Sequence, residues 1–417
     1  MADTQASSTP GSPTQTAVPP DLRGGMFQVI LATLASTAGF WAWMAISPLQ
    51  NIYATQMGLG QGSISLMLAM PVLVGALGRI VVGAMTDRFG GRKMFTFVLL
   101  AGVPAVLLVA LAGAIHSFGL LVFAGFLLGV PGTIFAVGIP FSSAWFPPAR
   151  RGFANGVFGM GMIGTAVSAF FTPRLANSIG YLPTHFIIAA VMVVMAVLVW
   201  FFLRDSPVWT SSNQKLVPKV TGALKLLITW EMSFLYAIVF GGFVAFSTYL
   251  PKYLMTIYPN EVDPIGAGTR TAMFAVAAVI ARPIGGVLAD RFGPKVISLL
   301  SLAGVVAAAY VVGQQPPEGV LTGVTFLLMA AAMGLGMGAV FAWIGPSTPP
   351  DKVGAVTGVV AAAGGLGGYF PPLVMGATYH TESNSYSLGL WLLVLVGALA
   401  LVVAGMLRDA RPQNTKK

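Results

Sequence analysis

Two arginines, Arg79 and Arg282, lie within long apolar stretches of the chain, where a charged side chain has few structural uses. Placing a charge in the hydrocarbon of a membrane costs about 3 kcal/mol on insertion scales, so such residues are functional by default. Both arginines begin the same pattern, Arg-x-x-x-Gly-x-x-x-Asp-Arg-Phe-Gly, and the two copies are 203 residues apart in a chain of 417 residues. This internal duplication predicts that the two guanidinium groups meet at one central site, which binds an anion.

The depth of the two arginines indicates that this anion is their counter-ion. Arg79 precedes Asp87 by eight residues, which is ~12 Å of helix, and Arg282 precedes Asp290 by the same number of residues. All twelve acidic residues lie in tails, loops or helix ends, so no carboxylate of the protein is expected at this depth. We therefore expect a substrate anion to neutralise the two charges.

A guanidinium group is a planar fork that binds planar oxyanions through two parallel hydrogen bonds. Two such forks suit a small, flat anion with several oxygens. Nitrate, nitrite, bicarbonate and small carboxylates all meet this description. The arginines alone therefore predict an anion site and leave its ligand open.

The composition excludes a soluble globular protein and predicts an all-α membrane protein. Hydrophobic residues make up 56% of the chain and charged residues 8%, whereas soluble proteins carry roughly 25% charged residues. Apolar stretches long enough to cross a hydrocarbon layer of ~30 Å recur along the chain. Twelve transmembrane helices are predicted, at residues 27–53, 62–86, 94–115, 118–144, 151–176, 182–203, 228–256, 268–289, 295–313, 320–344, 352–378 and 386–407.

The repeat and a polar stretch in the middle of the chain predict two pseudo-symmetric halves of six helices each. Parallel repeats of this kind are a transporter architecture, with the substrate site between the halves near the membrane midplane. The predicted segments are a disordered cytoplasmic tail at 1–25, an N-terminal half at 26–204, a cytoplasmic linker at 205–227, a C-terminal half at 228–408 and a cytoplasmic tail at 409–417.

The net charge of +10 follows membrane topology rather than nucleic-acid binding. With both termini placed in the cytoplasm, most basic residues fall in the inner loops and tails, as the positive-inside rule requires. The outer loops instead carry Glu261, Asp263, Glu318 and Glu382. We therefore predict a multi-pass protein of the cell membrane with both termini in the cytoplasm.

The loop after the second predicted helix reads Gly-x-x-x-Asp-Arg-x-Gly-x-Arg-Lys from Gly83 to Lys93, which resembles the signature of the major facilitator superfamily. The resemblance implies a twelve-helix fold that gives alternating access to a central site by rocking of its two halves. It also implies conformational gating at this loop and at its repeat in the second half. The gating residues expected from it are Asp87, Arg88, Arg92, Asp290 and Arg291.

Two glycine-rich runs, at 152–164 and 354–368, resemble the paired signature segments of the nitrate/nitrite porter family. Small residues at three- and four-residue spacing let membrane helices pack backbone to backbone, which leaves only a narrow cavity. Members of this family often have Asn within the first run, where this chain has Met160 and Met162. The resemblance implies that four glycines border the substrate, namely Gly161, Gly164, Gly364 and Gly365.

Three aromatic residues complete the expected site. Tyr236 and Phe240 are one helical turn apart and therefore share a face of the seventh predicted helix. The segments around them and around Phe135 resemble the seventh and fourth helices of the nitrate/nitrite porter family. The resemblance implies that these rings enclose the anion and that the Tyr236 hydroxyl donates a hydrogen bond to it.

The resemblance implies a secondary transporter of nitrate and nitrite, and the residues leave its coupling open. Nitrate/nitrite antiport is favoured because no carboxylate at mid-depth balances the arginines, and nitrate/proton symport is the alternative. An exchanger of a small carboxylate, such as oxalate or formate, is a second alternative.

No nucleophile–base set, phosphate loop or nucleotide-binding motif occurs, so we expect neither enzymatic activity nor a cofactor or metal. The expected partners are nitrate, nitrite, membrane lipid and protons as a coupling ion, without nucleic acid, and the protein is expected to act as a monomer. Three histidines, His116, His185 and His380, fall near the outer helix ends, where surface contacts are expected.

Overall fold

Twelve helical spans account for most of the chain in a computed structural model that describes residues 22–147, 150–211, 216–349, 352–383 and 385–407. Each span is long and apolar enough to cross a membrane, and the prediction of twelve transmembrane helices is confirmed. In chain order, spans 1 to 12 are Gly25–Met57, Gln61–Phe89, Gly91–Ala114, Phe118–Ala144, Arg151–Ile179, Tyr181–Phe202, Leu227–Ile257, Pro264–Phe292, Pro294–Gly313, Val320–Ser347, Val353–Ala377 and Ser387–Met406.

These segments are helical because a backbone in hydrocarbon must satisfy its own hydrogen bonds, which a helix does within one segment. Large apolar side chains stay exposed on the outside of the bundle, among them Phe201, Leu300 and Leu395. In water such a surface would drive aggregation. In a membrane it is the surface that contacts the lipid. The exposed apolar surface and the apolar spans together indicate a multi-pass membrane protein.

Five of the twelve spans are not continuous α-helices, and the sequence did not indicate their breaks. Helical irregularities of this kind, 3₁₀ and π turns, often occur at functional sites. The pieces are Gly25–Trp43, Ser47–Leu49 and Gln50–Met57 in span 1, Phe118–Gly132 and Ile134–Ala144 in span 4, Arg151–Gly159, Met160–Ile163 and Gly164–Ile179 in span 5, Leu227–Tyr236, Ala237–Gly241 and Gly242–Ile257 in span 7, and Val353–Gly367 and Phe370–Ala377 in span 11.

Close backbone packing fixes the positions of the two spans that carry the arginines. Span 2 packs on span 4, where a Cβ added at Gly129 would lie 2.7 Å from the carbonyl oxygen of Pro71. Span 8 packs on span 10 in the same manner, and a Cβ at Gly338 would overlap the carbonyl oxygen of Arg282. Glycine is required at both contacts because any side chain would push the helices apart. The pairs 2–4 and 8–10 are equivalent positions in the predicted repeat.

The duplicated Asp-Arg-Phe-Gly motif forms the same abrupt chain reversal in each copy. Gly90 has φ 88°, and Gly293 has φ 95°. Positive φ angles of this size favour glycine, because glycine lacks a Cβ. The next helix begins at once, at Gly91 in the first copy and at Pro294 in the second. In the first copy, the backbone N–H groups of Gly91 and Arg92 donate to a carboxylate oxygen of Asp205, at 2.5 and 3.2 Å.

The predicted linker at 205–227 contains a short helix, Leu216–Leu224, within the part that the structure describes. The predicted tails lie largely outside the described residues, which begin at residue 22 and end at residue 407. The division into halves at 26–204 and 228–408 stays a prediction.

We expect Gly90→Ala to destabilise the protein more than Gly180→Ala. Both glycines have backbone angles that L-residues rarely adopt, with φ 88° and ψ 160° at Gly90 and φ 95° and ψ 168° at Gly180. Strain in this region costs on the order of 1–3 kcal/mol in each variant. A Cβ at Gly90 would also lie 2.6 Å from Asp205 Oδ2, whereas the first atom near Gly180 is 3.9 Å away.

The measurement is thermal unfolding of both variants in detergent. Equal losses of thermal stability would contradict a specific contact between Asp205 and the start of span 3.

Candidate functional site

Arg79 lies inside the bundle with 2% of its surface exposed. Its Nη1 donates a hydrogen bond of 2.9 Å to the carbonyl oxygen of Ala361 in span 11. Its Nε and Nη2 are buried and have no hydrogen-bond partner among the residues that the structure describes. Buried polar groups are normally satisfied, so this guanidinium keeps donors for a ligand.

Arg282 occupies the equivalent position in span 8 and is 7% exposed. Its Nη1 lies 2.7 Å from the sulfur of Met162 in span 5. A thioether is a weak acceptor that carries no charge. In the described part of the chain, neither Arg282 nor Arg79 has a carboxylate as a hydrogen-bond partner. Among the residues that the structure describes, the hydrogen-bond partners of the two guanidinium groups are therefore a carbonyl oxygen and a thioether.

One aromatic ring lies beside both charges. The guanidinium carbons of Arg79 and Arg282 are 5.7 and 4.8 Å from the ring centroid of Phe135. The carbon of Arg79 is also 4.9 Å from the centroid of Phe240, and that of Arg282 is 5.7 Å from the centroid of Phe341. Cation–π contacts of this kind contribute roughly 0.5–2 kcal/mol each. The structure thus brings together the two arginines that the repeat predicted.

Tyr236 and Phe240 stack on each other, with centroids 5.0 Å apart and an angle of 3° between the rings. Tyr236 also contacts Phe341, at 4.7 Å between centroids. Its buried hydroxyl lies within electrostatic reach of both guanidinium groups, and it forms no hydrogen bond of normal geometry with any residue that the structure describes. The aromatic residues predicted from spans 4 and 7 therefore line one compartment with the arginines.

Two of the four predicted glycines face this compartment. A Cβ added at Gly364 would overlap Cδ1 of Tyr236. A Cβ at Gly365 would lie 2.7 Å from the Cβ of Ala76 and 3.4 Å from Nη1 of Arg79. Span 11 therefore approaches the site with its backbone, and any side chain here would displace the tyrosine or the arginine.

The other two predicted glycines, Gly161 and Gly164, pack against span 1 instead. A Cβ at Gly161 would lie 2.6 Å from the Cβ of Ser36, and one at Gly164 would lie 2.7 Å from the Cβ of Phe40. In span 5 it is Gly159 that faces a guanidinium, because a Cβ there would lie 3.5 Å from Nε of Arg282. Contact of Gly161 and Gly164 with a substrate stays a prediction.

The breaks in spans 4, 5 and 7 coincide with this compartment. A π turn at Ala237–Gly241 follows Tyr236 directly and includes Phe240. A 3₁₀ turn at Met160–Ile163 includes Met162, and Phe135 follows the break between the two helices of span 4. Such turns change the direction in which side chains leave a helix. The irregular turns thereby aim side chains from spans 4, 5 and 7 at the two arginines.

A cavity of about 560 Å³ runs from the arginine compartment to one face of the bundle. Arg79, Phe135 and Phe341 line its deep end, and Asp87 and Arg151 line it near the face where spans 2 and 3 are joined. We call this face the open side and the opposite face the closed side. The site is therefore reached from the open side in this structure.

Contacts between the two predicted halves seal the closed side. Ser47 Oγ donates to the carbonyl oxygen of Thr248 at 2.5 Å, joining spans 1 and 7. Tyr386, at the start of span 12, donates to Gln61 Oε1 at the start of span 2, at 3.2 Å. Hydrogen bonds between the halves on this side must break before the arginines can be reached from it.

The predicted gating residues lie around the open side. Asp87 lines the cavity, and Asp290 is exposed. The guanidinium carbons of Arg88 and Arg291 lie 5.3 Å from the rings of Phe89 and Phe292, and that of Arg92 lies 5.2 Å from the ring of Trp200. The carboxylate bound to the start of span 3 is Asp205, which the sequence placed in the linker. A gating role for the five residues expected from the sequence stays a prediction.

Several site residues were missed from the sequence, although the repeat held a signal for two of them. Phe341 is in span 10, the counterpart of span 4, which carries Phe135. Trp43 is in span 1, the counterpart of span 7, and its ring centroid lies 6.0 Å from the guanidinium carbon of Arg79. Met162 and the carbonyl of Ala361 had no such signal, because only packing brings them to the arginines.

The family model of the Major Facilitator Superfamily matches the chain at residues 29–260 and 255–417. Crystal structures of a bacterial homolog of the human lysosomal transporter Spinster, in inward-facing conformations, have the same fold. They superpose with TM-scores of 0.66 and 0.67 at 17% and 18% sequence identity, over 91% and 92% of this chain and 95% of theirs.

Curated relatives are similar to this chain over nearly their whole length. The probable nitrate/nitrite transporter NarK2 of Mycobacterium tuberculosis (strain ATCC 25618 / H37Rv) is 54% identical over 91% of this chain and 95% of its own. The nitrite extrusion protein of Bacillus subtilis (strain 168) is 33% identical over 90% of this chain and 93% of its own. The probable nitrate transporter NarT of Staphylococcus carnosus (strain TM300) is 36% identical over 91% of this chain and 95% of its own. The chain therefore belongs to the major facilitator superfamily and, within it, to the nitrate/nitrite porter family.

Proposed function

We propose that this protein is a secondary transporter that moves nitrate and nitrite across the cytoplasmic membrane by alternating access. The observation that carries the proposal is the pair of buried guanidinium groups beside Phe135, with no carboxylate bound to either among the described residues. The names of the relatives support nitrate and nitrite as the substrates.

The donors of the compartment fit a flat, triangular anion. Nε and Nη2 of Arg79 are two adjacent N–H donors, and the Tyr236 hydroxyl is a third group without a hydrogen bond to the described residues. A guanidinium fork binds two oxygens of one planar anion at once. The stacked rings of Tyr236 and Phe240 provide flat apolar walls, which suit the faces of nitrate.

The glycines of span 11 limit the size of the substrate. Backbone at Gly364 and Gly365 reaches Tyr236 and Arg79 without an intervening side chain. A larger anion such as oxalate would need this backbone to withdraw. The narrow compartment therefore favours nitrate and nitrite over larger anions such as oxalate.

In the proposed cycle, the arrangement with the cavity on the open side is the inward-facing state. The open side carries the basic loop between spans 2 and 3, which the positive-inside rule assigns to the cytoplasm. Arg151 at the cavity mouth adds a positive charge that attracts anions towards Arg79. Rocking of the halves would break the contacts of Ser47 and Gln61 on the closed side and bring the groups around Asp87 together on the open side.

Exchange of anions is the favoured coupling. Arg79 and Arg282 repel each other, and closing a dry compartment around two uncompensated charges is costly. A bound anion removes this cost, so each switch between states requires one. Nitrate/nitrite antiport follows, and nitrate/proton symport remains the alternative if a proton site exists elsewhere in the chain.

Arg79→Lys is expected to weaken nitrate binding at least about tenfold, although it keeps the charge. Lysine cannot supply two parallel hydrogen bonds, and a charge-assisted hydrogen bond contributes roughly 1.5–3 kcal/mol, or at least a tenfold change in affinity. Titration calorimetry on the purified protein measures the dissociation constant. The exposed Arg204 provides the matched control, Arg204→Lys, which should bind like the wild type. Normal binding by Arg79→Lys would refute the bidentate site.

Gly364→Ala is expected to abolish nitrate transport, whereas Gly358→Ala is expected to preserve it. Both glycines are in the same helix of span 11. The added methyl group would overlap the ring of Tyr236 in the first variant and would meet no atom within 4 Å in the second. Uptake of labelled nitrate into proteoliposomes measures the difference. Normal nitrate uptake by both variants would show that transport does not depend on the position of the Tyr236 ring.

The coupling is tested in proteoliposomes loaded with nitrite, nitrate or no anion, with the proton gradient varied separately. Antiport predicts rapid uptake of labelled nitrate only when an anion is inside, because the empty site switches slowly. Uptake that follows the proton gradient without internal anion would instead establish symport. Absence of nitrate flux under every gradient would refute the proposed function.

A further inference from the structure

Arg174 of span 5 lies near the closed side, away from the arginine compartment. Span 5 begins at Arg151, which lines the cavity on the open side, and ends at Ile179. Arg174 follows Arg151 by 23 residues, which is ~34 Å of helix. Span 5 therefore carries one arginine near each face of the bundle.

The guanidinium group of Arg174 is held by neutral groups. Its Nη1 donates to the carbonyl oxygen of Phe170 at 2.7 Å, and its Nη2 donates to the hydroxyl of Thr269 in span 8 at 2.8 Å. Its guanidinium carbon lies 3.6 Å from the ring centroid of Phe170. Among the residues that the structure describes, no carboxylate pairs with Arg174. The protein therefore holds this positive charge without neutralising it.

The side chain of Arg174 points along span 5 towards the middle of the bundle. An arginine near a helix end normally extends its charged head towards the water beyond that end. Here the guanidinium turns back over Phe170, one helical turn earlier. Further along the same direction, Met162 of span 5 contacts Arg282. Arg174 is also partly exposed, so an anion on the closed side can reach it while the compartment stays sealed.

Two acidic residues of the closed side have partners of their own. Glu318 forms an ion pair with Arg270 of span 8. Asp263 accepts a hydrogen bond of 2.8 Å from the backbone N–H of Gly266, at the start of span 8. These contacts engage both carboxylates locally. Arg174 thus keeps its charge for an anion from outside the protein.

The bond between Arg174 and Thr269 joins spans 5 and 8, which belong to different predicted halves. Beside it the two backbones touch, because a Cβ added at Gly268 would overlap the carbonyl oxygen of Ala169 and would lie 3.0 Å from Cγ of Pro173. Opening of the closed side between these spans must therefore break the bond to Thr269. Nη2 of Arg174 then loses its partner and faces the gap.

We propose that Arg174 forms a second anion site, which receives nitrate, nitrite or another small oxyanion on the closed side before it reaches Arg79 and Arg282. Thr269 occupies one arm of the guanidinium in the sealed arrangement, and an anion replaces it when this side opens. A positive charge at the mouth of a pathway raises the local concentration of anions. The proposal rests on the proposed transport function and assigns to the closed side the role that Arg151 has on the open side.

The test separates binding of an anion from the contact between spans 5 and 8. Thr269→Val removes the acceptor and leaves Arg174 in place. The double variant Thr269→Val with Arg174→Gln also lacks the contact, so the two variants differ only in the guanidinium. Exchange of labelled nitrate is measured in membrane vesicles loaded with unlabelled nitrate. Right-side-out vesicles give the KM on the closed side, and inside-out vesicles give the KM on the open side.

The closed-side KM of the double variant is expected to be about tenfold higher than that of Thr269→Val, as for the loss of a charge-assisted hydrogen bond. The open-side KM should be the same in both. Raising the ionic strength from about 10 mM to about 150 mM with a bulky sulfonate shortens the Debye length from ~30 Å to ~8 Å and should reduce the difference. Arg151→Gln provides the mirrored control, because it should raise the open-side KM instead.

Equal closed-side KM values for Thr269→Val and the double variant would overturn the anion site and leave Arg174 as a structural contact. If Arg174→Gln does not fold, Arg174→Met replaces it with the same expectation, because methionine keeps an apolar contact with Phe170. Absence of nitrate exchange in the wild type would refute the proposed function. Normal wild-type exchange with equal KM values would refute the second anion site alone.

Discussion

In the part of the chain that the structure describes, two guanidinium charges are buried without a carboxylate partner, and this is the constraint on which the rest of the structure depends. Arg79 and Arg282 cost free energy in a membrane interior, and the fold offsets this cost with a backbone carbonyl, a thioether and the faces of aromatic rings. None of these partners carries a negative charge. The charges are therefore held in place but not neutralised, which is the electrostatic condition for binding and releasing an anion.

The surrounding architecture follows from holding these charges close together. Helices must approach one another at backbone distance, so glycines occupy the contacts of spans 2, 8 and 11 with their neighbours. Regular helices would not aim enough side chains at one point, and turns of 3₁₀ and π geometry occur where spans 5 and 7 pass the site. The same irregular turns separate rigid pieces of the spans. A site built at such joints would change with the proposed movement of the halves.

The internal repeat explains the scaffold, and departures from the repeat explain the differences between the halves. Both copies place an arginine at the same depth and reverse the chain at a glycine with positive φ. The partners of the two arginines nevertheless differ, because Arg79 donates to a main-chain carbonyl and Arg282 faces Met162. Likewise Asp205 holds the start of span 3, whereas Lys295 of span 9 donates to carbonyl oxygens at the end of span 12. The starts of these equivalent helices are thus held by different contacts.

The aromatic residues of spans 4 and 7 were expected from the resemblance to the nitrate/nitrite porter family. The sequence by itself determined the class of fold, the twelve spans and the paired arginines. These were readable because hydrophobic length, charge placement and an exact repeat are properties of the chain alone. Only the tertiary structure decided that Gly364 and Gly365 face the arginines while Gly161 and Gly164 pack on span 1, and that Phe341, Trp43 and Met162 join the site. It also decided that His185 is buried in a cluster with Tyr53. The physical reason is that helix breaks and crossing contacts rotate side chains by amounts that depend on neighbours distant in sequence, so periodicity along one helix cannot give them.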